Sequence, residues 1–300
     1  MNPSGEQYWL ETDDQEASIV EVGGGLRTYT VAGVDVLDGY GVDEMAPDSR
    51  GQHLIPWPNR IEDGKYPFAG EDLQLALTEP GRHNAIHGLV RWANWTATDQ
   101  EADRVVMELV LHPQPGYPFT LGLAVEYRLG PGGLSVATTA TNLGDRPCPY
   151  GAGAHPYLTV GTEWVDDVVL LVPASTFLWS DERGIPREQR PTVRSPFRFD
   201  EPKPIGELMM DVAFTGLTDN EVVIAAPDGQ RRVHLWWDDA YRWVMVYTGD
   251  TLDPARRRRS VAVEPMTCAP NAFVTGDGLR VLEPEESWTT VWGIAPASLR

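Results

Sequence analysis

Apolar and polar residues alternate along most of this chain in short bursts, and the bursts are closed by Gly and Pro. Period-two patterning with β-branched residues predicts strands over Val105 to Leu111, Leu121 to Leu129 and Leu134 to Asn142. The pattern returns at Val168 to Val172, Glu221 to Ala225, Arg232 to Trp237, Trp243 to Tyr247, Ser260 to Glu264 and Trp288 to Ile294. Leu73 to Thr78 alternates as a half-buried strand would, and Ala17 to Val22 with Leu26 to Val31 predicts a first hairpin around Gly23-Gly24-Gly25. No stretch sustains helical periodicity over three turns. The expectation is an all-β fold, an antiparallel sheet system continuing through residues 1–300 as a single domain. Pro173 to Pro204, rich in Pro, Arg and acidic residues, is expected to be a long irregular loop over one face of the sheet.

Two segments interrupt the strands in a way that fixes polar residues. His53-Leu54-Ile55-Pro56-Trp57-Pro58-Asn59-Arg60-Ile61 holds two prolines too close for a helix or central strand, so a fixed loop should carry Asn59 and Arg60. Tyr150-Gly151-Ala152-Gly153-Ala154-His155-Pro156-Tyr157 leads small residues up to one histidine whose backbone the following proline holds extended. Its glycines leave room for a ligand or another backbone, and Tyr150 and Tyr157 offer flat faces with a polar tip.

Composition narrows the class. The 300 residues are 42% hydrophobic, with 11 Trp, 10 Tyr and 7 Phe, enough for a sizeable core. A net charge of −20 opposes binding to nucleic acid and to anionic membranes. The basic run Arg256 to Arg259 is expected to be a solvated turn. Two cysteines make no disulfide framework, and Met1 to Glu11 has neither a basic region nor an apolar run, so a reducing cytoplasm and no membrane segment are expected.

Five polar residues stand in unusual settings: Arg60 after two prolines, His87 before Gly88, His155 before Pro156, Asp211 in an apolar stretch and Glu264 before Pro265. Glu264 ends an apolar strand, where desolvation raises a carboxyl toward the range of a general base. A His and a Glu from separate strands supply an acid and a base for proton transfer at two neighbouring oxygens. No phosphate-binding glycine motif, dinucleotide fingerprint or nucleophile elbow occurs. His53, His83, His87, His155, Asp211 and Glu264 could supply metal ligands, but His83 and His87 lie in a Gly/Asn loop and no compact His-x-His pair exists, so no metal is expected.

These pieces resemble the aldose 1-epimerase (galactose mutarotase) family. Asn59-Arg60-Ile61 is similar to its Asn-Arg-Ile loop, Asn84-Ala85-Ile86-His87-Gly88 to its Asn-x-Leu-His-Gly segment, and His155-Pro156-Tyr157 to its His-Pro-Tyr/Phe motif. Asp211-Val212-Ala213-Phe214 resembles its substrate-binding aspartate segment, and Glu264-Pro265 with Pro270-Asn271-Ala272-Phe273 its glutamate motif. The match spans Arg60 to Phe273, with Leu89, Val212 and Asn271 departing from the common pattern, as a divergent branch would. The resemblance implies one large antiparallel β-sandwich of the galactose mutarotase-like supersandwich type, no cofactor, a monosaccharide as partner and a monomer or weak homodimer. It implies Glu264 as general base, His155 as general acid, and Arg60, His87, Asp211, Asn59 and Tyr157 as residues that hold the sugar. Arg60 with Arg82 or Arg91 could serve an anionic sugar, phosphorylated or sulfonated. Other readings are a non-catalytic sugar binder or sensor, with Trp57, Trp92, Trp236 and Trp237 as stacking platforms, and a hydrolase or lyase using Asp211 with Glu264.

Overall fold

A computed structural model describes residues 1–297. Two antiparallel sheets dominate it. Nine strands run in the order Lys203–Pro204, Val169–Leu171, Glu221–Ala225, Arg232–Trp237, Ser287–Ala297, Gly133–Asn142, Leu121–Gly130, Arg104–Leu111 and Thr96–Gln100. Six more run Tyr157–Leu158, Val261–Met266, Trp243–Tyr247, Asp211–Leu217, Ala174–Ser180 and Pro186–Pro191. A four-stranded sheet from Gln7 to Asp35 contains the expected first hairpin, Gln15–Val20 with Leu26–Val31. The helix content among the described residues is three short 3₁₀ turns and one four-residue α-helix, Ala272–Thr275.

Inward-facing residues of both large sheets join one apolar core. Val125, Tyr127, Val136, Leu235 and Ile294 come from the nine strands, and Phe214, Val244, Val246, Val261 and Val263 from the six. The alternation read from the sequence is what makes this possible, since every second side chain of a strand points to the same face.

Four sequence expectations are corrected. Pro173 to Pro204 is not an irregular loop: Ala174–Ser180 and Pro186–Pro191 pair as a hairpin and extend the six-stranded sheet. Its outer strand is edge-exposed and charged, which erased the alternation signal. The strand expected over Leu73 to Thr78 is instead Glu71–Gln74, paired with Lys65–Phe68. Arg60–Glu62 is a short strand, not loop, because it pairs with Asn84–Ile86. The run Arg256 to Arg259 is less solvated than expected, because Arg256 bonds Glu44, Arg258 bonds Asp166 and Asp250, and Arg259 reaches Glu163.

Candidate active site

The six-stranded sheet has a second face, turned away from the shared core, and cross-strand register arranges polar groups on it. One row reads Tyr157, Ala262, Tyr247, Asp211; the next reads Glu264, Met245, Ala213, Leu178. His155 is bracketed by the pairs Tyr157 with Ala262 and Gly153 with Met266, a register that sets it across from Glu264. The result is a contact of 3.3 Å between His155 Nε2 and Glu264 Oε1.

Both groups are deeply enclosed, His155 at 5% and Glu264 at 2% exposure. The backbone of His155 is tied on both sides, its N–H donating to the Gln52 carbonyl and its carbonyl accepting the Gly51 N–H. Tyr157 stacks on the imidazole with centroids 5.0 Å apart, and the Arg50 guanidinium lies 3.9 Å over the other aromatic partner, the Tyr157 ring. His155 Nδ1 and Glu264 Oε2 have no hydrogen-bond partner in the protein. Burial raises the Glu264 carboxyl to about 8, with nearby Asp211 adding to the rise and Arg60 opposing it. Burial lowers the His155 imidazole to about 3, with smaller contributions from Arg50 and Arg91. At neutral pH the pair therefore holds one proton, resting on the carboxyl.

The short ladder of Arg60–Glu62 and Asn84–Ile86 supplies the opposite wall. Asn59 and His87 flank it and clasp each other, Asn59 N–H donating to His87 Nδ1 (3.2 Å) and His87 N–H to the Asn59 carbonyl (2.9 Å). Both adopt positive φ, 54° and 61°, a conformation the clasp sustains. Gly88 follows because nothing larger fits: a Cβ there would lie 1.9 Å from the Ile55 carbonyl oxygen. Asn271 secures the same ladder, its Oδ1 accepting the Glu62 N–H and its own N–H reaching the Arg60 carbonyl. The departure at Asn271 thus touches the scaffold of the site.

Arg60 makes a bidentate pair with Glu79 (2.8 and 3.0 Å) and lies 3.6 Å from Asp211. Arg82 reaches Asp211 at 3.7 Å and Glu79 at 3.9 Å. Asp211 and Arg82 are the open members of the group, their side chains 39% and 37% exposed.

These walls enclose a polar cleft of about 400 Å³. Glu264, His155, Arg60, His87, Asp211, Asn59 and Tyr157 all line it, gathered from five separate segments. Sequence reasoning passed over Glu79 and Tyr247, which also line it, and Arg50 beneath Tyr157. Glu79 could not be distinguished among 44 acidic residues until its bidentate contact was visible. The four tryptophans put forward as stacking platforms are not among the lining residues; Trp57 and Trp237 are core, and Trp92 faces outward. Room beside Gly151 and Gly153 goes to packing, since a Cβ would meet Cys268 Sγ at 2.4 Å and the Pro58 Cβ at 2.9 Å.

The histidine spacing that argued against a metal is overridden by folding, which brings ligand atoms of His87, His155 and Glu264 within 4.8 Å of one another. The donor set nevertheless fits a metal poorly. His87 Nδ1 accepts a backbone N–H, so the neutral ring carries its proton on Nε2 and offers the cleft a donor instead of a lone pair.

A two-sheet antiparallel scaffold carrying a buried His–Glu pair in a polar cleft has counterparts among known proteins. The aldose 1-epimerase family model matches residues 6–294, and the chain belongs to that family. It is 36% identical over 298 residues to the uncharacterized protein YihR of Escherichia coli K12, covering 98% of this chain and 95% of that one. The fold matches an aldose epimerase homologue from C. elegans with TM-score 0.89 at 17% identity, covering 98% and 99% of the two chains. It also matches the galactose 1-epimerase from Lactobacillus acidophilus with TM-score 0.83 at 19% identity, covering 96% and 94%. These relationships confirm the all-β, galactose mutarotase-like fold expected from the sequence.

Proposed function

We propose that the chain is a cofactor-free mutarotase that interconverts the α and β anomers of an aldose. The observation that carries this reading is the His155–Glu264 contact at 3.3 Å, with one unpartnered polar atom left on each side chain. Such atoms are costly inside a protein and are satisfied when a substrate supplies the missing partners.

The reaction needs one proton shared by two groups. In ring opening, the Glu264 carboxylate takes the proton of the C1 hydroxyl while the His155 imidazolium gives its proton to the ring oxygen. The C1–O bond breaks with its electron pair on that oxygen, and a C1 carbonyl forms. Rotation about C1–C2 and closure on the other face complete the exchange. Closure runs from the complementary state, in which protonated Glu264 returns a proton to the carbonyl oxygen and neutral His155 accepts one from the hydroxyl. That complementary state is the one burial favours in the free cleft, and the direct contact lets the proton pass to His155 for opening. Arg60, His87, Asp211 and Asn59 hold hydroxyls so that the ring meets both groups at once, with Tyr157 setting the plane of the imidazole. The chain acts as one domain, in the cytoplasm, as a monomer or weak dimer. Among the described residues, no helix is long and apolar enough to cross a membrane.

Two-dimensional exchange NMR between anomers, on wild type and Glu264→Gln, tests the reading. Acceleration over the uncatalysed rate that disappears in the variant supports it. A wild type that accelerates no aldose, while still binding one, supports a sugar-binding or sensing protein instead.

A further inference from the structure

Three arginines line the cleft, and they differ in one respect. Arg60 and Arg82 are both within 4 Å of the carboxylates of Glu79 and Asp211, so these four charges offset one another. Arg91 has no such partner. Its Nη1 donates to Ser49 Oγ (2.8 Å) and its Nη2 to the Ile86 carbonyl (3.2 Å), both neutral acceptors. Two of its five N–H donors are used, which leaves three for a ligand. Among the described residues no carboxylate lies within ion-pair distance of it, and the exposed Asp48 at the cleft mouth is no exception. A half-buried cation without a counter-ion is unfavourable in a free-standing protein, and burial alone draws this guanidinium below its ordinary value. Its immediate support is strained as well, since Asp48 and Ser49 both hold positive φ, 53° and 63°, with the Ser49 hydroxyl on Arg91.

The position of Arg91 within the cleft says which part of a sugar it meets. Arg91 Nη2 bonds the carbonyl of Ile86, next to His87, whose ring meets that of His155 with centroids 5.4 Å apart, whereas Arg60 lies 3.6 Å from Asp211. With Glu264 at the anomeric hydroxyl and His155 at the ring oxygen, the His155 side of the sugar is C5 and its exocyclic carbon. Resting on the mutarotase reading, we infer that Arg91 is the recognition site for an oxyanion carried on C6 of the substrate, making an anionic aldose the preferred one over its neutral parent. A carboxylate, a phosphate monoester and a sulfonate all present the planar or tripodal oxygens that a guanidinium fork binds.

The test compares D-glucose and D-galactose with D-glucuronate, D-glucose 6-phosphate and a 6-sulfonated hexose. Anomer exchange gives kcat/KM on wild type and Arg91→Gln, and calorimetry gives Kd on Glu264→Gln. At least one anionic sugar should exceed its neutral parent by about 10- to 100-fold on wild type, the size of one or two charge-assisted hydrogen bonds. That ratio should collapse toward unity in Arg91→Gln, and which of the three sugars leads identifies the oxyanion. Neutral sugars turned over as well as every anionic one would overturn the inference while leaving the mutarotase standing, and this wild-type comparison decides even where Arg91→Gln fails to fold. A ratio unchanged in a folded Arg91→Gln would overturn it equally. An anionic sugar bound tightly by Glu264→Gln, and weakly once Arg91→Gln is added, with no catalysis in wild type, would instead sustain the Arg91 site and remove the mutarotase.

Discussion

At the scale of single residues, the site depends on how one proton is distributed between His155 and Glu264. Burial pushes the carboxyl up to about 8 and the imidazole down to about 3, so the pair is singly protonated across the range between them. Activity that needs that proton should hold at neutral pH and fall as pH rises through about 8, when Glu264 loses it; a kcat/KM profile rising steadily beyond pH 9 (about one unit past the Glu264 value) contradicts this. Glu264→Gln should lower kcat about 10²- to 10⁴-fold with little change in KM. Glu79→Gln acts differently, because it weakens the bidentate clamp on Arg60 and leaves the acid and base alone. Its expected effect is a KM raised about tenfold with kcat changed much less, read from saturation curves of anomer exchange. His155 and Glu264 stood out in the sequence because a proline follows each and fixes its backbone, and Arg60 because two prolines lie just before it. Glu79 and Arg50 are ordinary in sequence, and Arg91 stood there only as one of several candidate cations. What singles them out is the presence or absence of a particular partner across space.

Elements show the same division. Strands with a clean alternation, such as Leu121–Gly130 and Gly133–Asn142, were readable because one face is buried and the other wet. The Ala174–Ser180 and Pro186–Pro191 hairpin was not, since an edge strand needs no apolar face and its charges match those of a loop. The Arg60–Glu62 and Asn84–Ile86 ladder pairs Arg60 with Ile86 and Glu62 with Asn84, segments distant in sequence, and neither is long enough to signal a strand alone. Its geometry rests on the Asn59–His87 clasp and on Gly88. Gly88→Ala combines a φ of +69° with a Cβ 1.9 Å from a carbonyl oxygen, so it should cost about 3 kcal/mol or more, measured by chemical denaturation. A variant with wild-type stability would mean the ladder yields more easily than its packing implies.

For the molecule as a whole, the buried carboxyl has a thermodynamic cost that pH can expose. A Glu whose folded pKa is raised from 4.5 to about 8 keeps its proton in the fold where the unfolded chain has released it. Its contribution is fully present below pH 4.5 and is lost as pH climbs to about 8. Wild type should therefore lose stability relative to Glu264→Gln across that window, by a few kcal/mol at most, and thermal melts of the two at matched pH show it as a widening gap in Tm. A gap independent of pH would place the Glu264 carboxyl in the ordinary range. The sequence by itself determined the fold class, because periodicity of two specifies which side chains a sheet can bury, and it put His155 and Glu264 forward as the candidate acid and base, because the proline that follows each constrains the backbone locally. Only tertiary structure decided that His155 lies across from Glu264, that Arg60 and Arg82 are offset by Glu79 and Asp211, and that Arg91 is not. Those facts depend on the register between strands and on loops closing over a sheet from far along the chain, and such long-range pairings leave no mark in the local order of residues.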